Sequence, residues 1–246
     1  MPEEFHPRSA AALRVGPPKR GALRKTPESE WELLEQAQIL AGKSLSAVAH
    51  QLGRRTPRNL MGHKGWVGEL LESALGADAG SAPEPDFPAL GVELKTIPVT
   101  RDGRPRESTY VCTAPLIDNV GARWDKSLVH RKLQRVLWVP IEAEPSIPLP
   151  ARRIGTALLW SPSTQEEQCL KRDWEELMDL ICMGELDQLR AHRGDCLQIR
   201  PKAANGRSLI EAIGQAGERI HTLPRGFYLR PSFTEGILRG HFLIAT

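Results

Sequence analysis

No apolar run in this 246-residue chain approaches the roughly 18 residues that a membrane-spanning helix needs. The longest, such as Val136 to Ile141, stop after a few residues, which excludes a transmembrane segment. A secretory leader is missing as well. Glu3 and Glu4 stand where a basic region belongs, and Ala10 to Leu13 is too short for an apolar core of roughly 7–15 residues. The four cysteines, Cys112, Cys169, Cys182 and Cys196, form no CxxC pair and have no histidine at zinc-finger spacing. Their scatter predicts reduced thiols in a cytoplasmic protein, not a disulfide framework. Internal repeats are absent, and low complexity is confined to the first 25 residues. Nor is there a strong charge excess, with 33 Lys+Arg against 30 Asp+Glu. Most of that small excess falls in the N-terminal stretch holding Arg8, Arg14, Lys19, Arg20, Arg24 and Lys25, so any nucleic-acid surface elsewhere must be local. What is present is a 40% hydrophobic fraction, which excludes global disorder and suffices for one large domain or two modest lobes.

Residues 1–26 read as a flexible basic tail and residues 27–246 as a single folded domain of two lobes. Thr26-Pro27 supplies a helix-start signal, followed by a stripe of Trp31, Leu34, Ala37 and Ala41, with Leu33 and Leu40 beside them, that stops at Gly42. A second helix is predicted over Leu45 to Leu52, and Thr56-Pro57 repeats the start signal ahead of a third from Trp66 to Leu75. The middle of the chain changes to short runs with strand character: Val92 to Val99, Thr109 to Leu116, Val136 to Ile141 and Ala157 to Trp160. Lys126 to Leu133 fits a short helix, and Glu166 to Met183 a long amphipathic one ending at Gly184. Beyond it, Cys196 to Arg200 reads as a strand, Ser208 to Ile213 as helical, and Arg219 to Leu229 as a hairpin bent at Pro224-Arg225-Gly226. Helices around a short sheet mean an α/β or α+β fold.

The informative segment runs from Glu84 to Lys95. Pro88 and Leu90-Gly91 make a bend that brings Asp86 to the edge of the strand beginning at Val92. Side chains alternate along a strand, so Glu93 and Lys95 share a face about 7 Å apart while Val92 and Leu94 take the other. Two carboxylates with a nearby ammonium suit a Mg²⁺ site acting on a phosphodiester. In the helix Trp66 to Leu75, Glu72 falls on the border of the apolar stripe, from which an acid can face a cleft, while Glu69 points outward. Spacing alone does not separate this reading from a solvated, charged edge strand, and Glu-x-Lys is common in such strands.

The longer string separates them. Lys64-Gly65-Trp66-Val67-Gly68, Glu72, Gly76, Ala79-Gly80-Ser81, Asp86-Phe87 and Ala89 to Pro98 closely resemble the MutH family, strand-nicking endonucleases of methyl-directed mismatch repair with a restriction-endonuclease-like core. The likeness continues through Val136-Leu137-Trp138, Asp173 to Asp179, Gln198 to Asn205 and Leu223 to Leu229, and spans roughly residues 28 to 244. It implies metal-binding acids at Glu72, Asp86 and Glu93, a signature lysine at Lys95, a further catalytic lysine at Lys132, and Mg²⁺ as cofactor. Lys64 and Gly65 match positions beside the scissile phosphate. Arg200-Pro201-Lys202 match the recognition segment, and Tyr228 the tyrosine that senses the adenine methyl group. Tyr110 matches an aromatic near the DNA that is commonly Phe, so its hydroxyl departs from the pattern. The resemblance further implies a monomer that nicks the unmethylated strand at GATC in duplex DNA and is stimulated by the repair protein MutL after MutS detects a mismatch. Two features fall outside the family pattern: the basic tail, and extra positive charge in the loop Val99 to Arg106 that could lie over DNA. The competing readings are a dimeric restriction-type enzyme cutting both strands and a catalytically silent DNA-binding module.

Overall fold

The computed structural model describes residues 25–80, 82–189, 192–202 and 208–242; the basic tail up to residue 24, Ser81 and the Ala203-Ala204-Asn205 part of the recognition string lie outside them. Among the described residues no helix is long and apolar enough to cross a membrane. The first helix, α1 (Glu30–Leu40), starts one turn later than Thr26-Pro27 suggests, because the Ser29 hydroxyl caps it by accepting the Glu32 N–H. Its buried stripe is Leu33, Ala37 and Leu40. Trp31, expected on that stripe, is 72% exposed. α2 (Leu45–Gln51) and α3 (Trp66–Leu75) follow as predicted, although Thr56-Pro57 opens no helix of its own.

Strand β1 (Glu93–Val99) pairs in parallel with β3 (Val136–Glu142), which pairs antiparallel with β4 (Leu158–Trp160). Strand β3 has buried residues on both faces, as expected for a strand inside a crossover unit. On one side, Leu94, Leu137 and Val139 pack with the apolar faces of α1, α2 and α3. On the other, Ile97, Val136 and Trp138 join a second core. This second core is closed by α5 (Thr164–Cys182) and by a sheet of β2 (Thr109–Thr113), β8 (Arg225–Leu229) and β5 (Leu197–Pro201), in the order β2-β8-β5. Between β1 and β3 the chain passes through α4 (Leu128–Leu133). Arg135, just before β3, ties the layers together. Its guanidinium donates to Glu30 of α1 at 2.8 Å and holds that carboxyl below the usual range.

Three sequence expectations are corrected. The segment Ser208 to Ile213 is not helical; Ile210–Ile213 is strand β6, paired antiparallel with β7 (Arg219–Thr222), since so short an apolar run carries no decisive period. Arg219 to Leu229 is not a hairpin. Its two strands are consecutive but unpaired with each other, β7 going to β6 and β8 inserting between β2 and β5. The cysteines are not all free: Cys169 of α5 and Cys196 before β5 form a disulfide across a separation of 27 residues, leaving Cys112 buried and Cys182 exposed as thiols. No spacing rule could pair them, because only the docking of α5 on the start of β5 makes them neighbours. One element was not anticipated, the terminal helix α6 (Pro231–Phe242).

Beside that disulfide, the carboxylate of Asp173 is 1% exposed and its Oδ2 accepts the backbone N–H groups of Asp195, Cys196 and Leu197 at 2.8, 2.6 and 2.9 Å. It fixes the entry of the chain into β5. Asp173→Ala strands three donors and is expected to cost about 3–5 kcal/mol. Thermal or urea denaturation checks this, and a loss below about 1 kcal/mol would contradict it.

Candidate active site

The bend before β1 is closed by reciprocal backbone hydrogen bonds between Phe87 and Val92, at 2.9 and 3.3 Å. Successive N–H groups of a strand point to opposite edges. The Glu93 N–H turns toward β3 and reaches the Arg135 carbonyl at 2.9 Å. The Leu94 N–H faces the free edge, where Asp86 Oδ2 accepts it at 2.8 Å. Asp86 thus completes the edge of β1 and is fixed by doing so.

As the alternation requires, Glu93 and Lys95 share a face. Lys95 Nζ donates to Glu93 Oε1, and Lys132 Nζ, arriving from α4, donates to Glu93 Oε2 at 2.8 Å and to the Glu84 carbonyl at 3.0 Å. Glu93 is 1% exposed, and a carboxylate that buried is tolerable only when paired. Glu72 stands opposite on α3, half-buried, while Glu69 is exposed, as expected. Burial pushes the Glu72 carboxyl above its ordinary range; the negative charge of Asp86 adds to this and Lys95 partly offsets it. Burial also raises Asp86, followed by the charge of Glu93, against the pull of Lys95, the Leu94 N–H and Lys132. Three acids and two ammoniums therefore share one electrostatic environment at the start of β1. They do not form a closed cage. Among the described residues the one trio of acid, thiol or imidazole ligand atoms within 4.8 Å of one another is Cys169, Asp173 and Cys196. In that trio the sulfurs are bonded to each other and the Asp173 carboxylate is already occupied. The hard oxygens of Glu72, Asp86 and Glu93 are the donor set that fits a divalent cation.

An open cleft of about 590 Å³ joins this acidic wall to a second one. Gly65, Glu72 and Lys95 line it on one side, and Tyr110, Arg200, Pro201 and Tyr228 on the other. The second wall is one face of the sheet β2-β8-β5. A bulge between Tyr110 and Cys112 leaves Tyr110 on the cleft face and turns Val111 and Cys112 into the core. Burial raises the Cys112 thiol to about 12, so it stays protonated. The rings of Tyr110 and Tyr228 meet edge to face at 5.3 Å, with Lys202 Nζ 3.4 Å from the Tyr110 centroid and the Arg200 guanidinium 5.9 Å from that of Tyr228. Gly226 makes this packing possible: a Cβ there would lie 2.9 Å from a Tyr110 ring carbon and 3.3 Å from one of Tyr228. Lys64 is exposed next to Gly65, whose φ of +91° at the start of α3 suits glycine.

Of the predicted residues, Gly65, Glu72, Lys95, Tyr110, Arg200, Pro201 and Tyr228 line the cleft, while Asp86, Glu93 and Lys132 lie behind Lys95 and are not part of its lining. Of the loop cations, Arg104 lies 3.8 Å from Glu235 and Arg106 is bound to the Ala143 carbonyl, and none of them lines this cleft. Ser108, Gln198 and Gly226 were not anticipated as site residues. Only Gly226 carried a local signal, a glycine inside a strand marking close approach of other groups.

Residues 75–173 match the family model described as DNA mismatch repair enzyme MutH. Proteins named DNA mismatch repair protein MutH from Escherichia coli K12 and from Escherichia coli O6:K15:H31 are each 58% identical over 222 residues, covering 90% of this chain and 97% of theirs.

The raised carboxyls carry a consequence for stability. A group whose pKa is higher folded than unfolded adds no penalty below its unfolded pKa and destabilises the fold as pH rises through its folded pKa. Metal-free Glu72→Gln and Asp86→Asn are therefore each expected to melt higher than the parent at pH 7. The gain should vanish below the ordinary carboxylate range. Melting curves at pH 3.5 and pH 7 check this; a lower melting temperature at pH 7 would contradict it.

Proposed function

The chain belongs to the MutH family, and on that premise we propose that it is a Mg²⁺-dependent endonuclease that nicks the unmethylated strand of duplex DNA at GATC sites in mismatch repair. It is a hydrolase acting on DNA, its mixed α/β architecture is the restriction-endonuclease-like one of the family, and the family uses a divalent metal. One observation carries the site assignment. Glu72 and Lys95, with Asp86 and Glu93 beside them, border the same cleft as Tyr110, Arg200 and Tyr228, so one bound duplex can meet both walls.

Glu72, Asp86 and Glu93 hold the cation, which when bound supplies Lewis acidity at the phosphodiester. The residues themselves do the positioning. Asp86 is fixed through Oδ2 by the Leu94 N–H. Lys132, anchored on the Glu84 carbonyl, pairs with Glu93 Oε2 and fixes that carboxylate in its buried position. Lys95 lines the cleft and holds its ammonium on Glu93 Oε1, from where it stabilises negative charge developing on phosphate oxygens. Lys64 and the side-chain-free Gly65 allow the backbone phosphate to approach closely. On the opposite wall Arg200, with its fork of donors, suits the O6/N7 edge of guanine, and Pro201 and Lys202 extend that contact. Tyr228 abuts the adenine N6, where a methyl group alters the fit and separates the strands by a few kcal/mol.

Because one chain supplies both walls and one acidic site, it acts as a monomer cutting one strand per encounter. The acids do not form a closed cage in the free protein, which supports a low intrinsic rate raised when MutL, recruited through MutS, closes the cleft. Such a partner and a chromosomal substrate support a cytoplasmic location.

A plasmid carrying one GATC, prepared unmethylated, hemimethylated and fully methylated and incubated with Mg²⁺ with and without MutL, tests this reading. Nicked circles from the first two substrates are expected, and linear product at the first turnover would contradict it. Asp86→Ala should bind the duplex while nicking falls at least about 100-fold; undiminished nicking would remove Asp86 from the site. Tyr228→Ala should leave cutting of unmethylated DNA intact within about tenfold and blur the preference against the methylated strand. Unchanged discrimination would exclude Tyr228 as the methyl sensor.

A further inference from the structure

Ser108 stands immediately before β2, at the rim of the cleft. Its hydroxyl oxygen accepts from two residues of β5, Gln198 Nε2 at 2.7 Å and Arg200 Nη1 at 3.3 Å. Strands β2 and β5 are not neighbours, since β8 runs between them, so these bonds span the whole width of the recognition sheet. The two donors differ in kind. Gln198 is 4% exposed and opposite Tyr228 in register, so burial holds its side chain in place. Arg200 is exposed, and its long side chain has rotational freedom that must be surrendered when it docks on a base. Bidentate contact with a base edge tolerates little angular error, so an arginine ordered beforehand reads better than one ordered on contact. A serine oxygen has two lone pairs, and here Gln198 and Arg200 occupy both. The guanidinium also lies 5.9 Å from the centroid of the Tyr228 ring, so an aromatic ring and this shared oxygen both contact it.

We propose that Ser108 is a positioning residue for sequence recognition. It tethers Arg200, through one shared oxygen, to the buried Gln198, and so presents the guanidinium to the base edge already ordered. The proposal rests on the reading of Arg200 as the side chain that contacts guanine.

The test measures kcat/KM on duplexes carrying GATC and on duplexes in which that guanine is replaced, for the parent, Ser108→Ala, Ser108→Thr, Arg200→Ala and the double variant Ser108→Ala/Arg200→Ala. Ser108→Ala is expected to lower kcat/KM on GATC by roughly 3- to 10-fold, the span of one hydrogen bond, and to narrow the preference for guanine. Ser108→Thr, which keeps the hydroxyl, should restore most of that preference. In the Arg200→Ala background Ser108→Ala should narrow it no further. If it narrows the preference equally there, or lowers only the melting temperature, the tether is wrong while the role of Arg200 stands. If Arg200→Ala alone keeps full preference for guanine, the reading of Arg200 fails and the tether falls with it.

Discussion

The buried carboxylate of Glu93 is the interaction on which the rest of the molecule turns. An acid with 1% of its surface exposed persists only because Lys95 and Lys132 each donate to one of its oxygens. Its backbone N–H opens the parallel pairing of β1 with β3 by reaching the Arg135 carbonyl, and Arg135 in turn holds α1 through Glu30. Lys132 brings α4 and, through the Glu84 carbonyl, the bend that carries Asp86. Charge pairing, strand register and helix docking therefore converge on one residue, and the group that orders the fold locally belongs to the proposed metal site.

That arrangement explains why the acids sit in an unfavourable environment. Glu72 and Asp86 are pushed toward protonation by burial, with the charge of Asp86 adding to the push on Glu72 and that of Glu93 to the push on Asp86, a cost that an apolar or amide side chain would not incur. Proteins tolerate such local destabilisation where function requires it. The remainder of the chain supplies compensating rigidity, with two apolar cores flanking the β1–β3 sheet and Asp173 fixing the entry to β5. Recognition follows a different principle. The second wall consists of mutually packed side chains, Tyr110 against Tyr228 and Lys202 over Tyr110, with Gly226 making room for the two rings.

What the sequence revealed followed from local periodicity. The apolar stripe of Trp66 to Leu75 located α3 and placed Glu72 at its border, and strand alternation put Glu93 and Lys95 on one face. The bend at Pro88 to Gly91 correctly delivered Asp86 to the edge of β1. Lys132, Arg200 and Tyr228 were legible only through the likeness to a family, since no local rule distinguishes them from surface residues. What remained hidden depends on long-range order. Strand order β2-β8-β5 alone brings Ser108 within reach of Gln198 and Arg200, and helix docking alone joins Cys169 to Cys196. The segments Ser208 to Ile213 and Arg219 to Leu229 misled because a four-residue run has too few positions to show a period, and because adjacency in sequence is not pairing in a sheet.

The central claim, that Glu72, Asp86 and Glu93 together hold a divalent cation, is tested most directly by anomalous diffraction from crystals of the protein bound to a GATC duplex and Mn²⁺. A peak within bonding reach of oxygens from all three carboxylates is the predicted result. A complex with ordered DNA and no peak there, or with Mn²⁺ bound only elsewhere, would contradict it.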